Sequence, residues 1–444
     1  MKLTATVITL GCRLNQADSA LLTSRLQHLG YEIETTNSSN VLNLILVNSC
    51  NVTENAYRKS LQLLRSTRKE NPQAYIVFTG CCADVYYDKL VNLDEIDLVL
   101  KNEDKKQLEK ILPQHLANLK ELKDELKTSS QKDIFFENAI GSFPFRSRAF
   151  VKVQEGCDNF CSYCIVPFTR GRERSRNDME ILDEIKQQLE LGFREIVLTG
   201  VNICKYSSND KRLPELLAEI CNLQGNFRIR LSSTEPGDEV FDIINVMKEY
   251  PDKICPFFHL ALQNGSDTIL KAMNRHYTAE QYANYVEAAR KAIPNIHIGT
   301  DLIIGFPGET DKLFHESLNF VKSMKFANIH LFPYSVREGT VAAELQKNTF
   351  PPKESVMERQ GILTQIKEES AIEFSQSLAG TEGSVLFEIS NKQDIWEGWS
   401  GNYVRTLARS KEDLSKKLLP VKFLRSLPSG VLVAEIKENE ANKP

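Results

Sequence analysis

Three short apolar runs near the start of the chain each stop at a cysteine, and that recurrence limits the folds open to it. Residues 3–10 (LTATVITL), 42–48 (LNLILVN) and 74–79 (AYIVFT) are strand-like and lead into TLGC at Cys12, VNSC at Cys50 and FTGC at Cys81. Helix-like stretches at 17–29 and 54–70 separate them. Strands alternating with helices imply a parallel sheet covered on both faces. Ligands bind beyond the carboxyl ends of such strands, so three thiols from distant positions are expected to converge there. A secretion signal ending in a lipid-modified Cys12 would leave Cys50 and Cys81 unexplained. KLTATVITL is also too short for one and is broken by Thr4, Thr6 and Thr9.

A chain of 444 residues predicts two or three domains. With 41% hydrophobic and 26% charged residues it has the balance of a soluble globular protein. A net charge of -4 argues against coating nucleic acid by bulk charge, although a local basic patch remains open. No stretch approaches the roughly twenty apolar residues of a membrane span, so no membrane partner and a cytoplasmic location are expected. Ten cysteines in a reducing compartment then suggest metal ligation or catalysis before disulfides.

From about 104 to 147 the chain is lysine-rich and polar, which reads as a surface helix and a linker, with a domain boundary near 140. Strand-like runs recur at 149–154, 194–199, 227–232, 257–262, 296–304 and 328–332, separated by helix-like segments that include 179–191, 213–222 and 279–292. Six such units predict a partial (β/α)6 TIM-like barrel, two units short of a full one. Near 383–389, 403–408, 420–425 and 430–436 lie four short strands joined by turn-forming pieces, which predicts a small antiparallel β-barrel. The expected fold class is α/β, with domains at 1–140, 141–374 and 375–440.

Glu155 to Arg176 reads EGCDNFCSYCIVPFTRGRERSR, with Cys157, Cys161 and Cys164 in the pattern CxxxCxxC just after the first barrel strand. Three thiolates on one short loop can hold three irons of a 4Fe-4S cluster and leave the fourth iron open. A structural zinc would want a fourth protein ligand, and no Cys or His follows nearby.

This motif resembles that of the radical S-adenosylmethionine superfamily. Together with TLGCRLNQADS, VNSCNVTENA, FTGCCADV, TGVNI, LSSTEP, LQNGSDTILKAMNRHYT, TDLIIGFPGET and FPYSVREGT, it is similar over nearly the whole chain to the methylthiotransferases. The resemblance implies two 4Fe-4S clusters and S-adenosyl-L-methionine as cofactors, and a C-terminal RNA-binding barrel of the TRAM type. It implies that Cys12, Cys50 and Cys81 bind the auxiliary cluster while Cys157, Cys161 and Cys164 bind the radical cluster. An electron from the reduced cluster would cleave the sulfonium bond and leave a 5'-deoxyadenosyl radical able to take hydrogen from a C–H bond. The opening TLGCRLNQADS, with Asn15 and Gln16, is closest to the branch that acts on N6-threonylcarbamoyladenosine at position 37 of the tRNA anticodon stem-loop. Sister branches act on isopentenyladenosine or on an aspartate of a ribosomal protein. The implied partners are tRNA and an electron donor such as flavodoxin or ferredoxin. A non-catalytic, metal-stapled RNA-binding protein is the reading from another class.

Cofactor contacts are expected at the carboxyl ends of the barrel strands, at Thr199, Gly200, Asn202, Ser232, Ser233, Glu235 and Gln263. Turn and helix-cap roles are equally open to these residue types. Asn264 stands where the family usually has serine. Glu309 in GFPGET is expected to be structural, its carboxylate capping the next helix. Spacing leaves Cys81 and Cys82 ambiguous as ligand, and only the resemblance favours Cys81. Cys204, Cys221 and Cys255 read as buried small hydrophobes. Arg170, Arg172, Arg174 and Arg176 form either a solvated face or a draw for RNA phosphates. Trp396, Trp399, Tyr403 and Arg405 either stack on unpaired bases or pack the small barrel. The target adenine would have to turn out of its stack.

Overall fold

The computed structural model describes residues 3–35, 42–121, 147–345, 349–392 and 394–437. The chain divides into two compact units. One comprises Met1–Pro144, Phe150–Asp158 and Ile165–Glu184, and the other Phe145–Ala149, Asn159–Cys164 and Ile185–Pro444.

The first unit is built on five parallel strands, β1 (Thr4–Thr9), β2 (Glu32–Ile33), β3 (Leu44–Ser49), β4 (Tyr75–Gly80) and β5 (Leu98–Leu100), in the order β2-β1-β3-β4-β5. All six residues of β3 are buried, as a central parallel strand requires. Its side chains alternate between two cores. Ile45 and Val47 join Ile76, Phe78 and Leu64, whereas Leu44 and Leu46 join Ala5, Val77, Leu22 and Leu26. Leu22 and Leu26 lie on helix α1 (Arg13–His28), and Leu64 on helix α2 (Glu54–Glu70). Both helices start near the expected positions, but the short strands β2 and β5 carried too few residues to stand out in the sequence. The lysine-rich stretch is not all surface. Its helix, Leu108–Glu121, buries Leu108 and Leu112, and Lys105 is buried among charged partners. The expected linker and the boundary near 140 fall at 122–146, outside the described residues.

The second unit carries strands β6 (Glu195–Thr199) and β7 (Arg228–Leu231), paired in parallel. Strands β8 (Ser233–Thr234), β9 (Phe257–Leu260), β10 (His297–Ile304) and β11 (Asn328–Pro333) form a parallel sheet in that order. Only Ser232 separates β7 from β8, so one extended segment passes from the first sheet to the second, the continuity expected of an open barrel. The helix Lys353–Ser377 was not foreseen from sequence.

The C-terminal strands are β12 (Glu382–Lys392), β13 (Ile395–Ser400), β14 (Arg405–Arg409), β15 (Leu418–Ser426) and β16 (Leu432–Ile436), closed in the order β12-β13-β14-β16-β15. The fully antiparallel expectation fails at one seam, where β14 and β16 run parallel. Strand direction cannot alternate all the way round a ring with an odd number of strands. The strand missed in the sequence, β13, contains Trp396 and Trp399.

One buried carboxylate holds this small barrel to the strands of its unit. Glu195 on β6 is ion-paired with Arg228 at 2.6 Å and Arg230 at 2.7 Å, with Arg148 at 3.7 Å. The same guanidiniums reach into the small barrel. Arg228 donates to the Ser384 and Trp399 carbonyls, and Arg230 to those of Ser400 and Gly401. Tyr403 stacks on Trp399 with ring centres 4.8 Å apart, and Arg230 lies 4.9 Å from the Tyr403 ring. Trp399 and Tyr403 therefore serve the docking of the barrel, Trp396 packs on its core, and Arg405 pairs with Glu397.

Burial raises the Glu195 carboxyl, but Arg230, Arg228 and Arg148 outweigh it and hold the group below its ordinary range. A carboxyl depressed in the fold stabilises above its unfolded value, about 4.3, and that contribution drains away on acidification. Glu195→Gln, which takes the shared carboxylate charge from Arg228 and Arg230 and leaves Arg148 with Glu388, is expected to lower neutral-pH stability by about 3 kcal/mol. Urea unfolding of the variant between neutral and acid pH should show a flatter pH dependence than that of the natural chain.

Candidate functional site

Strands β1, β3 and β4 are neighbours and end at the same level, since Thr9 pairs with Asn48, Asn48 with Thr79, and Ser49 with Gly80. Their continuations place Cys12, Cys50 and Cys81 together. A Cβ on Gly11 would lie 2.9 Å from the Cys50 sulfur, and the Cys50 thiol feels the charge of Cys81 and Cys12. Glycine is required at two of the strand ends. Gly80 has φ +97°, and a side chain there would run into the Ser49 carbonyl at 2.3 Å. Asn15, one turn into α1, donates to the Leu10 and Ser49 carbonyls at 2.8 Å each, tying two thiol-bearing strand ends to the helix. Cys12 occupies the N-cap of α1, where its carbonyl accepts from the Gln16 amide at 3.2 Å while its side chain makes no capping bond.

The neighbours Cys81 and Cys82 diverge. Cys82 is buried in the core beside Ile45 and Phe78, and its thiol donates to the Cys50 carbonyl at 3.0 Å. Burial pushes the Cys50 thiol up to about 12. Burial also raises Cys81, with the Arg170 guanidinium opposing it.

Arg170 belongs to a buried charge cluster beside these thiols. It donates to Glu155 Oε1 at 2.7 Å, Asn15 Oδ1 at 2.6 Å and Asp18 Oδ2 at 3.1 Å. Lys152 reaches Asp18 at 2.9 Å and Glu155 at 3.1 Å, and Lys105 reaches Asp18 at 3.0 Å. Burial raises the Asp18 carboxyl, yet Lys105, Lys152 and Arg170 hold it well below the usual range. Two carboxylates thus face Lys105, Lys152 and Arg170, with Arg174 a further 3.7 Å from Glu155, so positive charge is in surplus next to three sulfurs. That suits a ligand set that turns anionic on binding iron. The arginine run accordingly splits. Arg170 and Arg176 are buried, the latter paired with Glu184 at 2.6 Å, while Arg172 points to solvent beside Asp158. The even-spaced pattern is therefore not one phosphate-binding face.

The loop that carries the CxxxCxxC pattern is fixed in each unit separately. In the first, the Cys157 amide donates to the Gly171 carbonyl at 3.2 Å, and a side chain on Gly156 would meet the Arg172 carbonyl at 1.9 Å. In the second, Ser162 is gripped by Met273, Ala272 and Ala342, and Cys164 donates to the Cys161 carbonyl at 2.9 Å. Arg275, not anticipated from sequence, donates to the Cys161 sulfur at 3.1 Å and to the Ala261 carbonyl at 3.2 Å, and it pairs with Glu235. No periodicity or spacing marks it out in MNRHYT; its importance arises only from where the chain folds back.

The expected cofactor residues lie where the strands end. Thr199, the last residue of β6, and Asn202 just beyond it are buried, with Gly200 between them. Ser232 is buried and its hydroxyl has no hydrogen-bond partner, as a group meant for a bound molecule would have. Ser233 is exposed. Burial raises the Glu235 carboxyl, and Arg275 opposes the rise. Gln263 takes φ +67°, bridging β9 to β10 through its backbone. Asn264 closes its own turn by accepting from the Ser266 amide at 2.9 Å. Glu309 is structural but does not cap the next helix, a task done by Thr310. It turns back to accept from the Gly305 amide at 2.6 Å and from Arg359 at 3.0 Å. Cys204, Cys221 and Cys255 are buried.

Comparison with known proteins adds to this geometry. The Radical SAM superfamily matches residues 151–321, and the uncharacterized protein family UPF0004 matches residues 4–101. Threonylcarbamoyladenosine tRNA methylthiotransferase MtaB of Bacillus subtilis is 31% identical over 94% of this chain and 93% of its own. The tRNA-2-methylthio-N(6)-dimethylallyladenosine synthase of Clostridium botulinum is 35% identical over 87% of this chain and 86% of its own. Among solved structures, the radical S-adenosylmethionine methyltransferase TsrM from Kitasatospora setae superimposes with a TM-score of 0.53 at 14% identity, covering 77% of each chain. That likeness is one of fold.

Replacing Arg170 by Met leaves Asp18 and Glu155 with one cation fewer in a buried setting. The substitution is expected to cost about 3–5 kcal/mol, read by urea unfolding followed by circular dichroism, whereas Arg172→Met, on the exposed side, should cost almost nothing.

Proposed function

This chain belongs to the radical S-adenosylmethionine tRNA methylthiotransferases, and on that basis we propose that it transfers a methylthio group to C2 of N6-threonylcarbamoyladenosine in the tRNA anticodon loop. The observation that carries the substrate is a set of four relatives bearing the threonylcarbamoyladenosine name, 31–36% identical over 86–94% of this chain. The dimethylallyl nucleoside is the second reading, favoured by a relative at 35% identity. Asn15 does not separate the two. Its amide is spent on the backbone of the thiol-bearing strands and on Arg170, so it bears on the thiol site and not on the base.

The cofactors are two 4Fe-4S clusters and S-adenosylmethionine, which when bound supply the hydrogen-abstracting radical and the sulfur and methyl group. Cys12, Cys50 and Cys81 would hold one cluster, and Cys157, Cys161 and Cys164 the other. Cys82 would stay outside the first set, a reading supported by its thiol being turned into the core. Ser232, with its unmatched buried hydroxyl, together with Thr199, Gly200, Asn202, Ser233, Glu235 and Gln263, would receive S-adenosylmethionine. Arg275 positions the loop by joining Cys161 to Glu235. An electron donor of the flavodoxin or ferredoxin class and a cytoplasmic location complete the proposal. Among the described residues no helix is long and apolar enough to cross a membrane.

Anaerobically reconstituted protein is expected to bind about eight irons per chain and, with dithionite and S-adenosylmethionine, to release 5'-deoxyadenosine. Cys161→Ala should abolish the release, and intact cleavage in that variant overturns the assignment. Cys81→Ala should lose about half of the iron, while Cys82→Ala should keep it all. The substrate is tested by nucleoside mass spectrometry of tRNA from a deletion strain. Loss of 2-methylthio-N6-threonylcarbamoyladenosine supports the proposal, and loss of the dimethylallyl derivative instead moves the enzyme to the other branch.

A further inference from the structure

Three adjacent strands of the second unit, β9, β10 and β11, carry His259, Asp301 and His330, residues to which the chemistry above assigns no part. The strand register sets His259 beside Gly299 and Asp301 opposite His330. His259 Nε2 lies 3.0 Å and His330 Nδ1 3.2 Å from the same oxygen, Asp301 Oδ1. The three ligand atoms all fall within 4.8 Å of one another. His259 is buried, and its Nε2 faces the Asp301 carboxylate at that short distance.

The surroundings hold this arrangement in place. Position 299 must be glycine, since a Cβ there would lie 2.9 Å from His259 Nδ1. His330 Nε2, the outer nitrogen, lies 3.0 Å from the Asn328 side-chain amide, and with that amide turned over its oxygen accepts the N–H that a metal-bound imidazole ordinarily donates. Asp301 and His330 are partly exposed, so the side facing away from the sheet is open. Glu235 lies close enough for its charge to act on Asp301, adding a negative field where a cation would sit.

We propose that His259, Asp301 and His330 form a binding site for a divalent first-row metal ion, with its remaining positions open to an oxygen ligand. Ligands at about 2.1 Å from such an ion lie roughly 3.0–3.4 Å from one another, and two edges of the triangle already have that length. Two imidazoles and one carboxylate on one side of the ion suit Fe(II), Mn(II) or Zn(II). The site differs from the six cluster cysteines in donor type as well as in place: nitrogen and oxygen here, sulfur there.

The test uses the full chain with its clusters reconstituted anaerobically, freed of loose metal and titrated with Mn(II) alone. Mn(II) favours oxygen and nitrogen over thiolate, and the free ion is counted by its six-line electron paramagnetic resonance signal. One saturable equivalent per chain is expected. Asp301→Asn should abolish binding, and Asn328→Ala should weaken it about tenfold through the outer contact alone. His330→Ala, at a half-exposed position, should also abolish it while keeping the circular dichroism spectrum of the natural chain. The absence of saturable binding in the natural chain overturns the proposal, as does unchanged affinity in His330→Ala and Asp301→Asn. Because the readout is metal binding, it stands or falls separately from the nucleoside on which the enzyme acts.

Discussion

A carboxylate taken out of water must be answered by cations or hydrogen-bond donors, and this chain repeatedly organises itself around that demand. Asp18 and Glu155 collect Lys105, Lys152 and Arg170 in the first unit. In the second, Glu195 collects Arg148, Arg228 and Arg230, Glu235 takes Arg275, and Glu309 takes Arg359. Each cluster joins segments far apart in sequence. Because a lone buried charge is so costly, the segments are held in one arrangement and not several.

Two of these clusters do more than hold the fold. Asp18 and Glu155, outnumbered by their cations, leave positive charge beside Cys12, Cys50 and Cys81. Arg275 answers Glu235 with one edge of its guanidinium and the Cys161 sulfur with another, so the loop bearing that thiol is set from the end of β8. Glu195 works at the opposite task. Its two strongest partners extend past it to backbone carbonyls of the closed barrel, making a docking surface from residues that in sequence are merely alternate positions of one strand.

Much of the thiol site was legible beforehand because parallel strands in register leave little choice about where their ends go. Gly11 and Gly80, each just before a cysteine, are needed where the Cys50 side chain and the Ser49 backbone, respectively, come within contact distance. Cys81 and Cys82 were inseparable by spacing. In the structure these successive residues diverge, one sulfur facing the other thiols and the other an apolar core. Arg275 and the histidines of β9 and β11 carried no local signal, since each acts with partners from other strands.

Period and spacing in the chain alone determined the alternation of strand and helix, the three cysteines at strand ends and the CxxxCxxC loop, because these depend on neighbours a few residues away. Tertiary structure decided which arginines of the 170–176 run are buried and that Trp399 and Tyr403 serve a docking surface. It also decided that Thr310, and not Glu309, caps its helix, and that one seam of the closed barrel runs parallel. These outcomes turn on which charges meet across strands, on contacts at long sequence separation and on ring closure, and no local pattern encodes any of them.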